Sequence, residues 1–93
     1  MTIGLLEIDL LIPGASSLKD KRRVVKSLKE RLRNRYNCSV AETEFQDIWG
    51  RARVAVCVVS DSSRHVNEQL SEIVRFASMH KDAAMADYRI EML

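Results

Sequence analysis

The chain is poor in the residue types on which most enzyme and metal sites are built. Its 93 residues include two cysteines, two histidines, three glycines, one proline and five aromatic side chains. Cys38 and Cys57 lie nineteen apart, with no Cys-x-x-Cys and no His/Cys cluster at ligand spacing. That excludes the common zinc and dithiol motifs, and no metal or other cofactor is expected. Both cysteines fall in strand-like runs and read as ordinary buried thiols. Three scattered glycines cannot form a Walker loop. No linker, repeat or low-complexity tract divides the chain, so residues 1–93 are expected to form a single domain. The longest unbroken apolar run, Val54–Val59, is far too short to cross a membrane. The N-terminal MTIGLLEIDLLI is interrupted by Glu7 and Asp9 and has no basic segment before it, unlike a signal peptide. A cytoplasmic location is the default expectation.

Catalytic signatures are equally sparse. His65 and His80 fall near the two ends of one helical segment, with no Ser or Cys nucleophile beside either in sequence. His80 closes that segment, where a cation suits the helix dipole. Glu7 and Asp9 share one face of a strand, and paired carboxylates can do acid–base work or hold a metal. They lie on a flat sheet face, however, and cross-strand pairing with Arg89 explains them as well. No catalytic residue is assigned, and a non-enzymatic protein is expected.

What is present is strong patterning. Leu6, Ile8, Leu10 and Ile12 alternate with Glu7, Asp9 and Leu11 over about Thr2–Ile12, a first strand ended by Pro13-Gly14. Ser17, with Asp20 three residues on, resembles a capping box ahead of a helix over about Leu18–Arg35. Leu18, Val25, Leu28 and Leu32 share its inner face, and Tyr36 extends the same stripe. A second strand over about Asn37–Phe45 is poorly alternating and charged, as an edge strand would be. The third, Arg51–Ser60, is apolar on both faces and should be central and covered on both sides. The SDSS run caps a second helix over about Ser63–His80, with Val66, Leu70, Ile73, Val74 and Ala77 inside. The last strand spans Ala84–Met92, with Ala86, Tyr88, Ile90 and Met92 on one face.

The order β-α-β-β-α-β, with right-handed crossovers, gives an α+β ferredoxin-like fold. Its four antiparallel strands run in the order 4-1-3-2, with two helices on one face. The two most aliphatic strands then fall in the centre. Neither carries an aromatic residue, so base stacking on the sheet, as in RNA-recognition modules of this topology, is disfavoured.

Charge is segregated. Residues 18–36, LKDKRRVVKSLKERLRNRY, hold nine basic and two acidic residues, a local charge of +7. The remainder holds six basic and eleven acidic residues, a charge of −5, so the overall +2 conceals a dipolar molecule. On the helical wheel Lys19, Arg22, Lys26, Lys29 and Arg33 form one continuous ridge, roughly 21 Å long at 1.5 Å per residue. Arg31 and Arg35 lie on the opposite flank. Lys21 falls in the apolar sector and should snorkel outward. The ridge is a candidate phosphate-binding surface, and a merely solvated helix face is the alternative. A second candidate is the turn PGASSLKDKRR, where Ser16, Ser17 and Lys21 beside a helix N-terminus could hold an anion. The acylphosphatase family shares this topology, but its Gly-rich, Arg-bearing loop is absent. Trp49, the sole tryptophan, lies in a turn. It either caps the core or anchors a partner surface.

The run SLKDKRRVVKSLKERLRNRYNCSVAE, followed by QDIWGRARVAVCVVS, resembles the YlxP-like family of small bacterial proteins, a family of unknown function. SLKDKRR, the SVAE after the helix and the Asp47/Trp49 turn are the most specific parts. The resemblance implies a ferredoxin-like fold. The neighbourhood of the family's genes, near those of transcription and translation factors, implies an RNA- or ribosome-related role. It carries over no catalytic residue. Two functions are therefore expected. One is an RNA- or ribosome-associated protein using the ridge. The other is a protein-interaction module, most simply a homodimer, with the ridge only solvated.

Overall fold

A computed structural model describes residues 1–93. Six elements follow one another: β1 (Thr2–Leu11), α1 (Leu18–Arg35), β2 (Ser39–Glu44), β3 (Arg51–Ser60), α2 (Ser63–Ser78) and β4 (Ala84–Met92). The strands form one antiparallel sheet in the order β2-β3-β1-β4, the expected 4-1-3-2 read from the other edge. The fold is ferredoxin-like.

The register explains the alternation in sequence. Leu6 pairs with Val56 and Ile8 with Val54, so the aliphatic positions of β1 and β3 meet on one face. Val25, Leu28 and Leu32 of α1 and Val66, Leu70, Ile73 and Ala77 of α2 close over them. Fully burying each such aliphatic side chain contributes about 1.5–3 kcal/mol, which makes this layer the main source of stability. Gly4 fixes how closely α2 can lie on β1. A Cβ there would collide with Val66 Cγ1 and come within 2.7 Å of Leu70 Cδ1. The helix therefore rests directly on glycine backbone.

Caps define the helices. Ser17 Oγ accepts from the Asp20 N–H at 3.1 Å, and Ser62 Oγ accepts from the His65 N–H at 3.2 Å. At its far end α1 stops as Tyr36 turns extended, its N–H still donating to the Leu32 carbonyl. Tyr36 is buried and meets Phe76 edge to face, with ring centres 5.9 Å apart.

Four expectations are corrected. β2 is shorter than its charged sequence run, and α2 ends before His80. The alternation in β4 is broken where the register slips between Asp9 and Leu10, leaving Met85, not Ala86, opposite Leu10. The outer face of β3 is also uncovered. Ala55 and Cys57 are half-buried there and Val59 is 55% exposed, because both helices pack on the opposite face of the sheet.

Candidate nucleic-acid interface

The helical spacing of the basic residues produces the surface it predicts. Lys19, Arg22 and Lys26 are exposed, Lys29 is half-buried and Arg33 is exposed. Arg22, Lys26, Lys29 and Arg33 line one shallow groove along α1, with Glu30 and Glu42 on its margin. Lys19 continues the same row a turn earlier. Arg33 anchors the far end by donating to the Val40 carbonyl of β2 at 2.9 Å. Within the ridge the only ion pair is Lys26–Glu30, at 4.0 Å between exposed side chains. Such a pair contributes little.

Three arginines elsewhere are matched by carboxylates. On the open sheet face Arg53 grips Asp9 with two hydrogen bonds, at 2.6 and 3.3 Å. Those bonds, against a smaller effect of burial, hold the Asp9 carboxyl below its ordinary range. Arg89 donates to Glu7 at 2.9 Å, the expected cross-strand pair. On α2, Arg64 pairs with Glu68 at 3.0 Å. Both carboxylates of β1 are thus committed to guanidinium groups.

The proposed anion turn is not assembled. Lys21 is fully buried instead of snorkelling, and points away from Ser16 and Ser17. Its Nζ donates to the carbonyls of Phe45 and Ile48, and lies 2.8 Å from Glu42 Oε2. The helix N-terminus already holds a carboxylate. Asp20 Oδ2 accepts from both the N–H and the Oγ of Ser16, at 3.1 and 3.0 Å. These bonds lower the Asp20 pKa and engage both Ser16 donors within the chain. Ser16, Ser17 and Lys21 thus all make hydrogen bonds within the fold, with Lys21 turned to the β2–β3 hairpin.

Lys21 pins the β2–β3 hairpin at a strained point. Phe45 has φ of 63°, a left-handed conformation unusual for a bulky residue. The Arg51 and Arg53 guanidinium groups stack on its ring at 4.1 and 5.4 Å. The buried lysine and this stack together hold the turn that presents Ile48 and Trp49. Trp49 is 49% exposed and so does not seal the core.

Residues outside the ridge also gather cations. Arg31, Arg35 and His80 line a second groove between the helices, together with Leu28, Phe76 and Met79. His80 is not the dipole-stabilised cation expected from its position. Its Nδ1 accepts from the Asp82 N–H at 3.1 Å. Burial first, then the positive Arg31, pushes its pKa down. The helical wheel places Arg31 and Arg35 on one flank. It could not show that this flank meets the far end of α2.

Comparison with known proteins places the molecule. A family model described as "Protein of unknown function (DUF503)" matches residues 3–90. The chain belongs to this family. This DUF503 protein is 35% identical over 74 residues to "Uncharacterized protein YlxP" of Bacillus subtilis (strain 168), covering 80% of each chain. Among solved structures it resembles the de novo designed protein Ferredog-Diesel. That match has a TM-score of 0.50 at 20% identity and covers 98% of this chain and 84% of the other. The likeness is one of fold. No helix of this DUF503 protein is long and apolar enough to cross a membrane.

Proposed function

We propose that this protein is a non-enzymatic, RNA- or ribosome-associated factor that docks phosphates on the α1 ridge. The observation that carries the reading is a row of five cations on one flank of α1 with almost no charge pairing. Arg53, Arg64 and Arg89 each meet a carboxylate, whereas the ridge of Lys19, Arg22, Lys26, Lys29 and Arg33 has one loose, exposed pair. Like charges at helical spacing repel by about 0.2–0.5 kcal/mol per pair, a cost that a polyanion lying along the ridge reverses. Arg33, tied to β2, orients the far end of the row. Phosphate contact of this kind needs no base recognition, which suits a sheet without aromatic residues on its central strands. A cytoplasmic site of action accords with such a partner. The test is the triple reversal R22E/K26E/K29E, which touches no buried group. Wild type binds structured RNA at about 0.1 M salt and the variant does not, with the fold retained by circular dichroism. Equal binding by the two proteins removes the proposal.

A second reading rests on the open face of the sheet. Ile3, Leu5, Ala55, Cys57 and Val59 form its apolar end, while the Asp9–Arg53 and Glu7–Arg89 pairs lie further along. A second copy packed there would bury the apolar end; Trp49 lies at the other end of β3, before Arg51. Sedimentation at tens of micromolar should then give a dimer mass that Val59→Lys returns to a monomer. A monomer mass for wild type eliminates this reading.

A further inference from the structure

His80 carries a hydrogen-bond donor with no acceptor. Its Nδ1 accepts from the Asp82 backbone N–H, which requires the proton of the neutral ring to sit on Nε2. Nε2 is buried and makes no hydrogen bond, while the residue as a whole is 9% exposed. An unsatisfied buried donor is destabilising, so its retention calls for an explanation. The explanation lies in the same groove. Arg31 makes no hydrogen bond or ion pair to protein. Arg35 uses Nε on the Tyr36 hydroxyl at 3.2 Å and lays its guanidinium on the Phe76 ring at 4.9 Å, which orients it and leaves its terminal nitrogens unpaired. The groove is thus lined by three side chains that carry unpaired donors, with the His80 Nε2 just beneath its surface, and by no carboxylate.

We propose that the groove between α1 and α2 binds a phosphoryl group, held by Arg31, Arg35 and the Nε2–H of His80. Two guanidinium forks and one N–H are suited to a tetrahedral oxyanion. The apolar side chains of Leu28, Phe76 and Met79 along the groove leave room for the organic part of a phosphate ester. This site is independent of the ridge. Lys26 and Lys29 lie on the opposite flank of α1 and contribute nothing to it. Nor does it need RNA, because a single phosphate is sufficient.

The experiment is an NMR titration of the histidine rings with inorganic phosphate at constant ionic strength near pH 7. His65, exposed on α2, is an internal reference in the same molecule. Phosphate is expected to shift the His80 ring resonances saturably and leave His65 unmoved. R31Q/R35Q, which changes only exposed positions, weakens the midpoint by about tenfold or more, as expected for lost charge-assisted hydrogen bonds. K26E/K29E leaves it unchanged. Parallel drift of both histidines, or an unaltered midpoint in R31Q/R35Q, overturns the assignment. Acetate acting at the same concentration as phosphate overturns the phosphoryl specificity.

Discussion

Lys21 Nζ lies 2.8 Å from Glu42 Oε2, and the lysine side chain is entirely buried. The pair joins the first turn of α1 to β2. Through the Phe45 and Ile48 carbonyls it also joins α1 to the hairpin turn. Lys21→Met leaves the Glu42 carboxylate and two carbonyls without their cation. Breaking a buried pair from one side costs about 3–5 kcal/mol. In a domain of this size that lowers Tm by about 12 °C or more. K21M/E42Q should recover part of the loss, because no unpaired charge remains. A K21M variant melting with wild type would show the pair to be dispensable.

Gly4 gives a second stability test. Gly4→Ala drives a methyl into Val66 and Leu70 of α2, an overpacking that costs about 1–3 kcal/mol. Val66→Ala removes the nearest colliding group. In the double variant G4A/V66A, denaturant unfolding should therefore show less destabilisation than the two single changes added together. Strict additivity would mean that α2 moves away freely.

His80 makes stability depend on pH near neutrality. Burial and the neighbouring cations Arg31 and Lys81 lower its pKa in the fold, with Asp82 opposing them, and Arg35 lines the same groove. A lowered folded value means that the unfolded chain takes up the proton first. The favourable contribution is full above the unfolded value of about 6.5 and declines as pH falls below it toward the folded value. His80→Gln should flatten this decline in urea unfolding midpoints measured between pH 7.5 and 5. A second fall, at lower pH, belongs to Asp9 and Asp20. Their lowered pKa values give stability that is present above about pH 4 and lost as acid protonates them. A profile for His80→Gln that matches wild type would contradict the assignment to His80.

Much of this architecture was legible because each element carries its own period. The alternation of β1 and β3 fixed the central strands. The Ser17 and SDSS caps fixed where both helices begin, and the wheel of α1 correctly grouped Arg22, Lys26, Lys29 and Arg33. What the sequence did not disclose depends on contacts between distant segments. Lys21 was read as a snorkelling cation because nothing nearby could bury it. Its three partners, Glu42, Phe45 and Ile48, come from the β2–β3 hairpin. The bulge opposite Asp9 and Leu10 breaks a pattern that looked regular in β4 alone. The outer face of β3 is apolar as expected, but nothing in this chain covers it. The Arg31–Arg35–His80 groove exists only because α1 and the end of α2 pack side by side. A His following an apolar helix stripe was the one available hint.

The salt dependence of RNA affinity tests the central claim most directly. Five phosphate contacts on a duplex predict a slope of log K against log salt of about −4.5, at about −0.9 per contact. Neutralising three of them in R22Q/K26Q/K29Q should bring the slope to about −1.8, with the fold unchanged. A wild-type slope near zero, or the same slope in both proteins, would contradict phosphate docking on the α1 ridge.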